Sequence, residues 1–308
     1  MNTHTRPVFT VVIPTHNRCE LLRAAVASVR TQTFSSWELC IVDDGSTDAT
    51  AALLAQLSDE RVTTVHHEHP KGVSAARNAG IARARGEIIA FLDDDDEYKP
   101  DFLAAMAQVF TGPAAPDVAW IGGVAPDTRR GRARRGIARG RALNSPRSLK
   151  AVSAIGLCAR ARDFATLGGF DEDMMVSEDV DLVLRFAGAG RKYLHVARPL
   201  VYNRDGPYAR LSRSRDYEAI ARSQARLVTK NAVFLKDRPE LWIHYVGTLV
   251  GAYYRAGDRR AARAAMGRLL RRHPLSLKSW ERLLRFETHG LRARLRRGLG
   301  ARASGSGG

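Results

Sequence analysis

The segment FLDDDDEYKP, residues 91–100, sets four aspartates, Asp93 to Asp96, directly after the apolar run Ile88-Ile89-Ala90-Phe91-Leu92. Adjacent carboxylates repel one another, so a chain that gathers them at the end of a buried strand must neutralise them. A hard divalent cation does this with oxygen ligands: Mg2+ or Mn2+ takes one or two carboxylates and fills its shell with phosphate oxygens. A D-x-D such as Asp93 to Asp95 can give one carboxylate to the ion and another to a sugar or ribose hydroxyl. The ion can then bridge to a diphosphate and neutralise its charge as it leaves. A second acidic pair, Asp43-Asp44, follows ELCIV. One of the two can accept from a base N–H and the other from a ribose hydroxyl, although DGSTD is also good turn and capping chemistry. A third set, Ser177-Glu178-Asp179 with Asp181 close behind, stands where a helix should start.

These residues need elements to place them. Val8 to Ile13 is a β-branched run closed by Pro14 and reads as a buried strand; Trp37–Val42, Arg61–His66 and Glu87–Leu92 read as three more. Between them, Glu20–Arg30 and Val73–Ala84 carry helical periods, and Ser46-Thr47-Asp48 offers an N-cap to a helix through Leu57. Strands alternating with helices at this spacing predict an α/β fold with a mostly parallel sheet, and ligands of such sheets bind beyond the carboxyl ends of the strands. Thr15-His16-Asn17-Arg18, Asp43 to Ser46 and Asp93 to Asp96 all fall at those ends. Further on, Val118–Val124 reads as a strand and the Arg- and Gly-rich Asp127–Ser148 as a mobile loop or a loose hairpin. Glu178 to about Ala187 reads as a helix, and Lys192–Tyr202 as one or two short strands around Pro199. From about Leu211 strand signals vanish. Four or five helices are expected, among them a tetratricopeptide-like hairpin over Ala252–Pro274 that turns at Gly257-Asp258.

Composition narrows the function classes. The 308 residues carry a net charge of +17. Residues 251–308 hold fifteen Lys/Arg against three Asp/Glu, and Thr128–Arg141 holds seven Arg and no acid, which leaves the remainder slightly acidic. Localised charge of this kind implies an anionic partner. No aromatic stacking platform or reader motif accompanies the arginines, so nucleic acid is not expected. Two readings stay open: a solvated helix face, and an anionic membrane surface to which Leu269, Leu270, Leu283, Leu284, Phe286, Leu291, Leu295, Leu299 and Trp280 would add an apolar contribution. No apolar run reaches 18 residues, the N-terminus has no signal-like h-region, and the three cysteines (Cys19, Cys40, Cys158) lie far apart. The expectation is a cytoplasmic protein with free thiols, at most peripheral on the inner membrane face. His66, His67 and His69 form an H-H-x-H, read as a polar loop at a strand exit remote from the motifs rather than as a zinc site.

Three segments in order, VVIPTHNRCELLRAAVASVRTQTFSSWELCIVDDGSTDAT, KGVSAARNAGIARARGEIIAFLDDDDEYKP and LGGFDEDMMVSEDVDLVLRFAGAG, resemble the signature segments of family 2 glycosyltransferases. The resemblance covers about Val8 to Arg204. It implies the GT-A nucleotide-diphospho-sugar transferase fold over residues 1–209, followed by a basic α-helical extension over 210–302 and a flexible tail over 303–308. It also implies an inverting, metal-dependent enzyme that passes a sugar from a nucleotide-diphosphate donor, UDP-sugars favoured, to a glycan or lipid-linked acceptor in bacterial surface-glycan synthesis. Position by position, it implies that Thr15 and Arg18 line the nucleotide pocket, with Asp43 reading the base and Asp44 beside it. Lys71 and Arg77 would face the nucleotide or diphosphate, and Asp94 the ribose and donor sugar. Asp95, with Asp93 as the other end of the D-x-D, would hold Mn2+ or Mg2+, and Asp179 would be the general base. An inverting displacement needs a base on the acceptor side, and a helix N-terminus is expected to keep that carboxylate ionised; Glu178 is the rival and Asp181 a weaker one. Family members often carry a histidine in a Y-R-x-H-like context, whereas VYNRDGPYARLSRS has none after Arg204, leaving Asp205 or a nearby arginine to substitute. Two other classes compete: a sugar nucleotidyltransferase, which would want a Gly-rich, lysine-bearing loop where PTHNR stands, and a non-catalytic nucleotide-sugar-binding module.

Overall fold

A computed structural model describes residues 6–121, 125–126, 143–152, 154, 156–196, 198–203 and 215–274. Contacts divide the chain into two compact units, Met1–Arg210 and Leu211–Gly308. The first unit begins with β1 (Phe9–Thr15), α1 (Cys19–Arg30), β2 (Trp37–Asp43), α2 (Thr50–Ala55), β3 (Val62–His66), α3 (Val73–Arg83) and β4 (Ile88–Phe91). There follow β5 (Asp96–Tyr98), α4 (Phe102–Thr111), β6 (Val118–Ile121), β7 (Ala125–Pro126), β8 (Cys158–Arg160), α5 (Ala161–Leu167), α6 (Glu178–Gly188), β9 (Tyr193–Val196) and β10 (Val201–Asn203). Seven strands form one sheet in the order β3-β2-β1-β4-β8-β6-β9, and β5-β10-β7 form a second, small one. The large sheet is parallel except at β8, which runs antiparallel to both its neighbours.

Every residue of β1 and β2 is buried, as the unbroken apolar runs require of central parallel strands covered on both faces. β3, at the edge, is half exposed and uses threonines there. The expected strand end at Pro14 is corrected: β1 continues through Pro14 to Thr15. Its partner β4 reaches only as far as Phe91 opposite Val12, so Pro14 lies past that pairing and its missing N–H breaks no ladder bond with β4. β5, β8, α4 and α5 were not expected. The two strands span three residues each, too short for a period to register.

The entry into β5 shapes the acidic segment. Asp96 N–H donates to the Asp93 carbonyl at 3.1 Å, closing the four aspartates into a turn. Tyr98 then donates its hydroxyl to the Phe91 carbonyl at 2.8 Å and stacks on Phe102, with ring centroids 3.6 Å apart. The turn is thus clamped to the end of β4 by a buried side chain.

The second unit comprises α7 (Tyr217–Lys230), α8 (Ala232–Lys236), α9 (Pro239–Arg255) and α10 (Arg259–Arg272) among its described residues. Asp258 caps α10 by accepting from Ala261 N–H at 2.9 Å, and Gly257, at φ +83°, makes the turn that precedes it. Ala262, Ala265, Met266 and Leu269 of α10 are buried, while Arg260, Arg268 and Arg271 are exposed. The arginine-rich loop 128–141, the stretch 204–214, and the leucines beyond residue 274 with Trp280 lie outside the described residues.

Candidate functional site

The polar ends of β1, β2 and β4 meet at one edge of the sheet, and the cations among them answer the repulsion of the four aspartates. Arg18, just past β1, donates from Nη1 to Asp94 Oδ1 at 2.8 Å and stands 3.6 Å from Asp95 Oδ2. Thr15, the last residue of β1, donates from Oγ1 to Asp94 Oδ2 at 2.9 Å. Arg77, from α3, is 3% exposed and donates from Nη2 to Asp93 Oδ1 at 2.7 Å. Burial pushes the Asp94 carboxyl up to about 6, with the Asp95 charge acting in the same direction, while Arg18 and Thr15 oppose it.

Asp93, Asp95 and Asp96 offer carboxylate oxygens that all lie within 4.8 Å of one another. Three hard oxygen donors converging at this range suit a divalent cation of the Mg2+ or Mn2+ type. The expected D-x-D is thereby extended. Asp96, which the spacing does not single out, joins Asp93 and Asp95 because the turn brings it back over Asp93. Asp94, between them, is turned to Thr15 and Arg18.

Asp44 is already committed. It accepts from the N–H groups of Lys71 at 2.9 Å and Gly72 at 2.7 Å, and its Oδ1 is 2.7 Å from His67 Nδ1. Its work here is to fasten the segment leading into α3 to the end of β2. Asp43, itself buried, accepts from Ser46 N–H at 3.0 Å and lies 3.0 Å from His66 Nδ1. The placement of the histidines remote from the motifs is therefore overturned. β2 and β3 are parallel and pair Asp43 with His66, so both strand ends open onto the same edge. Gly45, at φ +71°, permits the close approach: a Cβ there would sit 2.7 Å from Pro70 N. Asn17, also left-handed at φ 53°, accepts through Oδ1 from Thr47 N–H at 2.7 Å and holds the loop beyond Asp44. The side chain of Lys71 is exposed.

The third acidic set joins the first through Arg77, whose Nη1 donates to Glu178 Oε1 at 2.7 Å. One buried guanidinium thus touches both the carboxylate cluster and the first turn of α6. Asp179, the next residue, remains partly open to solvent. The helix end is not the main influence on its ionisation. Burial, with the Glu178 charge adding to it, pushes its carboxyl up to about 7, against Arg77 and the N–H groups of Val180 and Ala154. The two rivals are otherwise engaged: Glu178 with Arg77, and Asp181, fully buried, with Arg185 Nε at 2.8 Å. Ser177 precedes α6 at φ 64°, a left-handed conformation that costs a non-glycine residue energy and gathers at functional sites.

The profile of glycosyl transferase family 2 matches residues 10–162. The succinoglycan biosynthesis protein ExoO of Rhizobium meliloti is 40% identical over 102 residues, 33% of this chain and 29% of its own length. The Escherichia coli protein named UDP-Glc:alpha-D-GlcNAc-diphosphoundecaprenol beta-1,3-glucosyltransferase WfgD is 38% identical over 86 residues, 28% of this chain and 34% of its own. The chain spans about two fifths or less of the length of the curated relatives it matches. Among solved structures, residues 1–349 of S. aureus TarS in complex with UDP-GlcNAc superpose with a TM-score of 0.62 at 18% identity, over 86% of this chain and 89% of that one. At that identity the likeness speaks for the fold.

Proposed function

This chain belongs to glycosyltransferase family 2, and from that premise we propose that it is an inverting glycosyltransferase of bacterial surface-glycan synthesis. It moves a sugar from a nucleotide-diphosphate donor to a hydroxyl of a glycan or lipid-linked acceptor. The observation that carries the reading is the contact of Arg77 with Asp93 on one side and Glu178 on the other, each at 2.7 Å. It sets a cation-type carboxylate cluster and a carboxyl poised near neutrality within one site.

In the reaction, Asp179 takes the proton of the acceptor hydroxyl, whose oxygen bonds to the anomeric carbon as the bond to the donor diphosphate breaks on the opposite face. The sugar is inverted, the nucleoside diphosphate departs, and the proton stays on Asp179 until solvent removes it. A carboxyl that titrates near the working pH combines availability with driving force for this transfer. Asp93, Asp95 and Asp96 would hold Mn2+ or Mg2+, which when bound supplies charge neutralisation for the departing diphosphate. Asp43 accepts from the nucleotide base. Asp44 holds the 71–72 backbone in place behind it, where Lys71 can reach the phosphates. Thr15 and Arg18 hold Asp94 against the ribose side of the pocket.

UDP-sugars are the favoured donors, in keeping with the UDP-linked name of WfgD. The exposed arginines of α10 suit contact with the anionic inner face of the cytoplasmic membrane; among the described residues no helix is long and apolar enough to cross one. The testing experiment is a thermal-shift screen of nucleoside diphosphates with and without Mn2+, followed by donor turnover with and without acceptor. Mn2+-dependent binding of UDP with acceptor-dependent turnover is expected. Binding without turnover would make the chain a nucleotide-sugar-binding module, and release of inorganic pyrophosphate from a nucleoside triphosphate and a sugar 1-phosphate would make it a nucleotidyltransferase.

A further inference from the structure

α3 joins the two halves of the site by consecutive residues. Arg77 spends its two terminal nitrogens on Asp93 and Glu178 and lies 5.1 Å from the centre of the Phe170 ring. Asn78 donates from Nδ2 to the Phe170 carbonyl at 2.9 Å and to Glu172 at 2.8 Å, and accepts from Phe170 N–H at 2.8 Å. The turn after β4 and the segment that leads into α6 are therefore gripped by the same stretch of helix. Charged residues are seldom buried unless paired, and here the pairing partners come from both sides of the proposed reaction.

We propose that Arg77 is a positioning residue for the base: by holding Glu178 against Asp93 it fixes the first turn of α6, and Asp179 with it, relative to the cation cluster. This differs from the expectation that Arg77 faces the nucleotide or diphosphate, and it rests on the reading of Asp179 as the base. The planar fork of arginine reaches two carboxylates in fixed directions, which the single ammonium of lysine does not. The charged groups that bear on Asp179 are Glu178, beside it on α6, and Arg77, from α3; its other partners are the N–H groups of Val180 and Ala154. Their effects have opposite sign. Glu178 disfavours the ionised carboxylate and Arg77 favours it.

The experiment is a pH titration by carboxyl-carbon NMR of the full chain labelled at aspartate, with the Asp179 resonance identified by its loss in Asp179→Asn. It is read in the wild type, Glu178→Gln, Arg77→Lys and Arg77→Gln, beside kcat and KM. Glu178→Gln is expected to lower the Asp179 midpoint and Arg77→Gln to raise it, each by about one pH unit. Arg77→Lys is expected to keep the midpoint near that of the wild type but lose at least tenfold in kcat with little change in donor KM. A packing role alone would not move the midpoint in opposite directions, so shifts of one sign, or none, overturn the proposal. A lysine variant with full kcat overturns it as well. Should Arg77→Gln fail to fold, Glu178→Gln and Arg77→Lys still decide. The titration needs no turnover, so a wild type that shows these shifts yet transfers no sugar would sink the proposed activity and leave the coupling standing.

Discussion

Replacing Asp95 with asparagine keeps the shape of the side chain and removes one charge from the cluster. The carboxylate oxygens of Asp93, Asp95 and Asp96 lie within 4.8 Å of one another, so at an effective dielectric near 20 each repulsion is about 3.5 kcal/mol. Asp95 takes part in two of them. Its attraction to Arg18 at 3.6 Å returns about 4.5 kcal/mol on the same scale, so against these three neighbours the Asp95 charge meets a net repulsion of roughly 2 kcal/mol. Asp95→Asn should then melt at or a few degrees above the wild type in EDTA, since ~1 kcal/mol shifts Tm by about 2–4 °C at this size. Manganese reverses the order. Binding at a hundred times Kd stabilises by about 2.7 kcal/mol, so the wild type should rise by roughly 5–10 °C and the variant by little. The assay is thermal unfolding followed by circular dichroism in EDTA and in MnCl2. A variant several degrees below the wild type in EDTA would mean that the aspartates serve the fold. Equal manganese shifts in the two proteins would mean that Asp95 is no ligand.

Asp179→Asn should lower kcat by about 10²- to 10⁴-fold while donor affinity, measured by calorimetry, is retained; loss of both together would make Asp179 structural. Because the folded carboxyl titrates near 7 against an ordinary value of 3.8, the native state holds this proton more tightly than the unfolded chain. The stability it contributes is complete below about pH 4 and is lost as pH rises through 7, so urea midpoints of the wild type should fall more between pH 4.5 and 7.5 than those of Asp179→Asn. Transfer should follow the opposite course and rise over the same window. Replacing the exposed Arg260, Arg268 and Arg271 with glutamate should weaken binding to liposomes rich in anionic lipid, and binding of the wild type should fall as salt rises; a wild type that ignores such liposomes at low salt refutes the membrane reading.

The strands that frame the site were legible because each is an apolar run that breaks at a polar cluster, and parallel topology sends those clusters to one edge. Carried one strand further, the same topology brings His66 and His67 to that edge. β3 leaves the sheet beside β2, and a separation of 23 residues between Asp43 and His66 disappears once their strands are in register. The cluster at the end of β4 was legible only in part. Four identical residues carry no mark of which face each presents, and the choice of Asp96 over Asp94 is made by a turn that one backbone hydrogen bond and the buried Tyr98 hold in place.

Arg77, which the resemblance turns toward the nucleotide or diphosphate, is paired with a carboxylate at each end of its fork. An arginine beside a diphosphate-binding motif suggests a charge free to meet phosphate. The helix around it is built of small residues, however, with Ser74, Ala75, Ala76 and Gly80 buried against the sheet, and a helix that packs this closely takes its arginine inside with it. Once inside, the cation is tolerable only with carboxylates at both ends of its fork. The two that meet it, Asp93 and Glu178, are 85 residues apart in the chain. The charge of Arg77 is thus spent on joining the turn after β4 to the first turn of α6, and cations for the phosphates are to be sought among exposed side chains such as Lys71.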